Sequence, residues 1–420
     1  MTTDHVADPT LDPALESWVS VTAGSDFPIQ NLPYGIFSTA DRSPRVGVAI
    51  GDDILDLAML ADAGHLVGID LEPHNVHTDR LNHLMRLPRL TRVALRERLS
   101  TLLRRDNPDL IADSTRWLVP GSAAAMHLPC EVGDYVDFYS SLEHATNLGR
   151  LFRPEGEPLL PNWRHLPVAY HGRASTVVVS GTPVVRPHGQ RKAPTADAPS
   201  FGPSTRLDFE LEVGFFTCAG PQLGATIALS DAEDHIFGFA LVNDWSARDL
   251  QAWEYVPLGP FLGKSFATTV SPWVVTREAL APFRVEPPPQ KPRPLPYLSE
   301  AATPGLAIDL EVKLNTTLIS TTSFRSMYWT PAQQLTHASS NGTAIRAGDL
   351  YASGTVSGST PGAAGSLIEL TWNGTAPIPL EDGSTRAFLE DGDTVTLRGS
   401  CRAGGAAAIG FGTCSGTIIA

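Results

Sequence analysis

The chain has 420 residues and a formal net charge of −14, with 42% apolar and 18% charged residues. That length buries a sizeable core without disulfides or a structural metal and predicts two or three domains, and the apolar and charged fractions exclude a disordered chain. The acidic balance excludes a basic face for nucleic-acid phosphates, and no apolar run approaches the ~18 residues of a membrane span.

Met1 to Pro13 carries Asp4, Asp8 and Asp12 and no apolar stretch, so a secretory signal peptide is not expected. Cys130, Cys218, Cys401 and Cys414 are scattered and form no Cys-x-x-Cys. A reducing, cytoplasmic setting follows, rather than a zinc ribbon or a disulfide framework. Glycine (36) and proline (35) predict many turns and a β-rich fold.

The first ~120 residues read as a small separate unit. Ser25–Pro28 and Leu32–Gly35 are turns, and Arg45–Ile50 and Ile54–Leu57 flank Gly51-Asp52-Asp53 as a hairpin. A helix follows Pro88 with Leu95, Leu99, Leu102 and Leu103 on one stripe; Arg92, Arg96, Arg104 and Arg105 are placed off it, on a solvated or subunit-contact face. From about Val132 the pattern changes to strands and loops. Strands are predicted over Thr176–Ser180, Leu207–Phe216, Phe237–Asn243, Ile308–Leu314 and Leu367–Trp372, the fourth with one wet face. Pro282–Pro296, with seven prolines, is a stiff surface loop. A second helix starts at Thr330 as N-cap, with Pro331 first and Gln333 completing a capping box. The sum is an antiparallel β-sandwich or roll with few helices.

Three common catalytic signatures fail. Gly259–Ser265 (GPFLGKS) is one residue short of a phosphate loop and holds a proline among its spacer residues; no G-x-S-x-G and no H-E-x-x-H occurs. Carboxylates remain. Glu210 and Glu212 lie two apart in an apolar strand and share a face, with Asp208 preceding them. Such neighbours repel unless a cation joins them or one stays protonated; the plainer alternative is a wet strand face. Asp309 and Glu311 repeat the spacing, but Lys313 follows to neutralise them. Asp244 ends the apolar run Phe237–Asn243, where a buried strand emerges and a short helix begins at Ser246; it is either a ligand or a turn aspartate. Asp137 and Tyr139 alternate on one face, and His144 follows seven residues after Asp137. An all-carboxylate set suits Mg²⁺ or Ca²⁺ rather than zinc or copper. Arg248, Gln251 and Lys264 cluster after Asp244 and either stabilise an anion or solvate a helix.

These segments resemble the fumarylacetoacetase family. The resemblance lies in Asp137–Ser141 and His144–Asn147, Leu160–Trp163, Tyr170–Ser175 and Asn243–Asp249, in the long run Trp253–Ser265 (WEYVPLGPFLGKS), and in Ser25–Ser38 (SDFPIQNLPYGIFS). It spans essentially the whole chain, and the differences fall in loops such as Arg191–Pro203 and Ser359–Ala364.

The resemblance implies a mainly β fold. A small SH3-like N-terminal barrel with a helical connector (1–125) precedes a larger C-terminal β-roll or sandwich (126–420), and the assembly is a homodimer. It implies hydrolysis of 4-fumarylacetoacetate, a dicarboxylate, to fumarate and acetoacetate, the last step of tyrosine and phenylalanine degradation. Asp137, Glu210, Glu212 and Asp244 are implied ligands of a catalytic Ca²⁺ or Mg²⁺, and Asp244, Lys264 and Thr268 of a second, structural Mg²⁺. His144 is the implied base and Glu369 its orienting partner. Arg248, Gln251 and Lys264 form the implied oxyanion hole, and Tyr139, Arg153, Gln251, Tyr255 and Thr355 the implied substrate contacts. A bound metal stabilises the enolate leaving group of such a β-diketone. Two other readings compete. A related acylpyruvate hydrolase or β-keto-acid decarboxylase lacks the long N-terminal domain and the His144 segment; a non-catalytic β-rich binding protein would make Glu210/Glu212 mere solvation.

Overall fold

The computed structural model describes residues 8–193 and 195–420; Met1–Ala7, including Asp4, and Pro194 in the Arg191–Pro203 loop lie outside the described residues. The fold is mainly β. The N-terminal SH3-like unit is an antiparallel five-stranded sheet in the order Leu118–Pro120, Asp53–Asp56, Arg45–Ile50, Tyr34–Ser38, Ala125–His127. Its central hairpin turns at Gly51-Asp52, where Gly51 takes a left-handed φ of 57°.

The larger unit is built on an eight-stranded sheet. Its main path runs Ala169–His171, Tyr135–Phe138, Leu350–Ala352, Leu211–Thr217, Ile236–Asp244, Thr268–Val270, Val177–Val179, with Val275–Thr276 also paired to the long strand. Both Leu211–Thr217 and Ile236–Asp244 are buried at every residue, as a strand covered on both faces requires. One face packs Leu211, Val213, Phe215 and Leu241 against Leu310, Val312, Leu397 and Phe411 of a five-stranded sheet. The other face packs Ala240, Val242, Val270 and Phe216 against Ile36, Val48, Leu95 and Leu99 of the N-terminal unit. Two main-chain hydrogen bonds between Tyr34 and Val274 (2.8 and 3.0 Å) join the units.

Several sequence expectations hold. Asp309–Leu314 alternates exposed and buried residues, and Pro331–Ser339 begins with the expected reciprocal cap, Gln333 N–H donating to Thr330 Oγ1 (3.3 Å) and Thr330 N–H to Gln333 Oε1 (3.1 Å). Others are corrected. Leu207–Phe216 is not one strand: Leu207–Asp208 pairs with Ser246–Ala247, and the long strand begins only at Leu211. Asp208 therefore leaves the face it was expected to share with Glu210 and Glu212. The helix after Asp244 starts at Arg248, because Ser246–Ala247 is taken up in that pairing. Leu367–Trp372 is a helical turn, Leu367–Leu370, rather than a strand; Ser366 precedes it and Glu369 lies three residues on, the S-x-x-E spacing of a helix start. The Pro282–Pro296 segment is not all loop, since Arg284–Val285 pairs with Gly305–Leu306.

Arg96 also departs from expectation. In the helix Arg89–Leu103, residues 92, 96, 99 and 103 recur at helical spacing, so Arg96 lies on the apolar face and is buried. Its guanidinium donates to Thr10 Oγ1 (2.9 Å), Asn31 O (2.8 Å) and Gln30 O (2.6 Å), tying the helix to the Pro28–Pro33 turn. Arg96→Met leaves those carbonyls buried without a donor and is expected to lower stability by about 2–4 kcal/mol. Equilibrium urea unfolding checks this; a midpoint equal to that of the unaltered chain contradicts it.

Candidate metal centre and active site

Strand register assembles the carboxylates. Glu212 pairs with Val242 and Asp244 with Thr268, while Gly214 pairs with Ala352 and Ala352 with Asp137. Directly paired residues, and residues two apart along a strand, share a face, so Glu212, Asp244, Thr268 and Asp137 point the same way. Glu210 joins them from the residue before the strand: its carbonyl accepts from Asp244 N–H (3.2 Å) and its own N–H donates to Asn243 Oδ1 (3.1 Å). All four carboxylates are buried and offer oxygens within 4.8 Å of one another.

The electrostatics of this cluster are unbalanced. Burial, then repulsion from neighbouring acids, pushes Asp137 and Glu212 well above the ordinary carboxylate range. Glu210 goes the other way: burial raises it, but Lys264, Arg248 and His144 outweigh that and hold its carboxyl low. The Lys264 ammonium hydrogen-bonds Glu210 and reaches Asp244 Oδ2 at 2.7 Å, whose Oδ1 accepts from Thr268 Oγ1 (3.1 Å) and whose Oδ2 also accepts from the Tyr170 hydroxyl (3.0 Å). Glu212 Oε2 accepts from Gly354 N–H (2.9 Å). Gly354 has to be glycine, since its φ is 77° and a Cβ would stand 2.2 Å from Phe138 O. Asp137 Oδ1 and Glu212 Oε1 are buried with no hydrogen-bond donor. Unpartnered carboxylate oxygens in an all-oxygen set fit a hard divalent cation.

Beside the cluster lies a histidine–carboxylate pair. His144 sits in the first turn of Leu142–Phe152, whose N-cap Ser141 accepts from His144 N–H. Its Nδ1 lies 2.7 Å from Glu369 Oε2, with both side chains buried. Glu369 also accepts from Asn147 Nδ2 (2.9 Å), Ser357 Oγ (2.9 Å) and Ser366 Oγ (2.6 Å). Burial alone would raise its carboxyl, but His144 and these donors hold it below the usual range. A carboxylate accepting from Nδ1–H leaves Nε2 as the basic nitrogen. The Tyr139 ring meets the imidazole edge-on at 5.3 Å.

Arg248 spans the space between the cluster and the Glu369 turn. Its Nε donates to Asp208 Oδ2 (2.8 Å) and its Nη1 to Gln251 Oε1 (3.2 Å). Its Nη2 lies 2.7 Å from Glu210 Oε1, a buried ion pair. Asp208 is thus an arginine partner, not a member of the carboxylate cluster.

Arg153 and Thr355 carry buried polar atoms without partners, Nε and Oγ1. Arg153 Nη2 donates to Pro158 O (2.6 Å). Burial, then the charges of Glu369 and Glu210, push the Tyr139 hydroxyl above its usual range, opposed by Arg153 and Arg248. Tyr255, at the end of the helix Arg248–Glu254, is exposed and hydrogen-bonded to none of them through its side chain among the described residues. The individual roles of Asp208, Asn147, Ser357, Ser366 and Tyr170 are not visible in the sequence alone, although the Ser366/Glu369 spacing is a usable signal.

The chain matches two family models, one described as fumarylacetoacetase N-terminal over residues 30–129 and one as fumarylacetoacetate (FAA) hydrolase C-terminal over residues 135–419. The fumarylacetoacetase of Caenorhabditis elegans is 52% identical over 422 residues, covering 96% of this chain and 99% of that one. That of Homo sapiens is 51% identical over 417 residues, covering 96% and 98%. Among solved structures, maleylpyruvate hydrolase from Sphingobium sp. SYK-6 shares the fold with a TM-score of 0.50 at 15% identity, over 92% of this chain and 99% of that one.

A carboxyl whose folded pKa is raised takes up a proton on folding. The cation-free fold therefore loses stability as pH climbs from about 4, the unfolded carboxylate range, toward the raised values of Asp137 and Glu212. A divalent cation replaces that proton. The gain in Tm on adding Mg²⁺ or Ca²⁺ is expected to be larger at about pH 8 than at about pH 5, and Glu212→Gln should shrink it. Thermal unfolding with and without cation checks both; a gain independent of pH contradicts the assignment.

Proposed function

The chain belongs to the fumarylacetoacetase family, and from that premise we propose that it hydrolyses the carbon–carbon bond of 4-fumarylacetoacetate, giving fumarate and acetoacetate, the last step of tyrosine and phenylalanine degradation. It is a hydrolase of this type. The observation that carries the reading at the level of residues is the buried His144–Glu369 pair beside four carboxylates whose Asp137 Oδ1 and Glu212 Oε1 have no donor.

Asp137, Glu210, Glu212 and Asp244 would hold the cation, Ca²⁺ or Mg²⁺, a choice supported by their all-oxygen donor set. When bound, it supplies Lewis-acid charge to the oxygens of the β-diketone. His144 Nε2 takes a proton from water while its Nδ1–H stays hydrogen-bonded to Glu369, and the hydroxide adds to the fumaroyl carbonyl carbon, which becomes a carboxyl of fumarate. Arg248 Nη2, the Gln251 amide NH₂ and the remaining N–H of the Lys264 ammonium are the donors for the oxyanion that forms. The C–C bond then breaks. Its electron pair leaves with the acetoacetate fragment as an enolate, and the proton on His144 returns to that carbon. Arg153 Nε and Thr355 Oγ1, both without partners, suit a substrate carboxylate, with Tyr139, Tyr255 and Gln251 completing the contacts.

The finer features are proposed on narrower support. A second Mg²⁺ at Asp244, Lys264 and Thr268 would have to use the main-chain oxygen of Lys264, because its ammonium is a cation with no lone pair to offer a metal. A homodimer is supported by exposed apolar side chains at Val256, Leu258, Phe261 and Leu262. The division proposed at residues 125/126 lies a few residues before the interval between the two family models, 130–134, and the strand Ala125–His127 still pairs with the N-terminal sheet. Four buried free thiols support a cytoplasmic setting. No helix among the described residues is long and apolar enough to cross a membrane.

Steady-state hydrolysis of fumarylacetoacetate tests the mechanism. His144→Ala should lower kcat by ~10²–10⁴, Glu369→Gln by less, and the double variant should be little worse than His144→Ala alone. Arg248→Met should lower kcat by ~10²–10³ with little change in KM. Near-normal turnover by His144→Ala, or losses at His144 and Glu369 that simply multiply, would sink the base assignment.

A further inference from the structure

We propose that Asp208 is a positioning residue that fixes Arg248 and the Glu369 turn as one unit, an inference that rests on the hydrolase reading above. Asp208 is buried, and its two oxygens receive four donors. Oδ1 accepts from Phe209 N–H (2.8 Å) and Leu367 N–H (2.7 Å); Oδ2 accepts from Ile368 N–H (3.1 Å) and Arg248 Nε (2.8 Å). Leu367 and Ile368 open the single helical turn that carries Glu369. One carboxylate therefore grips the guanidinium on one side and the His144 partner's backbone on the other, although Arg248 and Glu369 are far apart in sequence.

The orientation of Arg248 depends on this grip. With Nε on Asp208, Nη1 on Gln251 and Nη2 2.7 Å from Glu210 Oε1, the guanidinium is held at three points. Freed from Asp208, it can slide onto Glu210 as a two-point pair, and its position between Glu210 and Gln251 is lost. The break in the strand serves the same end. Asp208 pairs with Ser246 in a short antiparallel ladder, which turns it away from the Glu210/Glu212 face and toward the Arg248 helix. Asp208 touches no reacting atom; it acts through two groups that do or that orient one.

Asp208→Asn keeps the size of the side chain and removes its charge. The expected result is a folded protein whose kcat for fumarylacetoacetate falls ~10–100-fold, as for other partners that orient a functional group. KM and the affinity for Mg²⁺ should stay within about threefold. In an Arg248→Met or a Glu369→Gln background the same substitution should cost less than it does alone. An unchanged kcat, or a loss that multiplies in full in both backgrounds, overturns the proposal and leaves Asp208 a structural residue. Failure of the unaltered protein to hydrolyse fumarylacetoacetate overturns the functional reading instead. If Asp208→Asn does not fold, a crystal structure of the unaltered chain with fumarate decides: Arg248 Nε on Asp208 with Nη2 on a product oxygen supports the proposal, and an Arg248 detached from Asp208 overturns it.

Discussion

Four carboxylates buried within one small space, answered by a single lysine and a shared arginine, are the constraint around which this molecule is built. Like charges at such distances outside water cannot all stay ionised without a counter-charge. The chain supplies part of it through Lys264 and Arg248 and leaves Asp137 and Glu212 short of both donors and cations. A bound divalent ion would remove the deficit, and the cost of gathering the carboxylates is met beforehand by the rest of the fold.

That rest is visible in the covering of the central sheet. A second sheet closes one face and the N-terminal unit the other, so the strands bearing Glu212 and Asp244 are dry along their length. Burial of that extent supplies the low dielectric in which the His144–Glu369 bond and the Arg248–Asp208 pair carry weight. The irregular points are where the site is made. The break after Asp208 sets Glu210 beside Asp244, the left-handed Gly354 brings its N–H to Glu212, and the turn at Leu367 brings Glu369 under His144.

The regular parts were legible in the sequence for simple reasons. The end of an apolar run marked Asp244 and alternation turned Glu212 to the cluster side of its strand, both of which follow from the two-residue period of a strand; the same alternation grouped Glu210 with Glu212, but Glu210 reaches the cluster from before the strand, and Asp208, grouped likewise, does not. The Thr330 cap was legible because its two hydrogen bonds are local. The partners were not. No spacing rule links residue 144 to residue 369 or residue 208 to residue 248, and those pairings came either from family resemblance or from the structure. Arg96 illustrates another limit: a cation at helical spacing among leucines reads as surface until the carbonyls of Gln30 and Asn31 are seen waiting for it. Leu367–Trp372 reads as a strand because four residues are too few to separate a short buried helix from a strand by composition.

The claim on which all this turns is that the carboxylate cluster works by holding a divalent cation for cleavage of a β-diketone. The decay of fumarylacetoacetate absorbance by the purified chain, followed before chelation, after chelation and after return of Mg²⁺ or Ca²⁺, tests it most directly. The account predicts steady hydrolysis, its loss with chelator, and its recovery with the returned ion. Hydrolysis that continues undiminished in the chelated protein would contradict it.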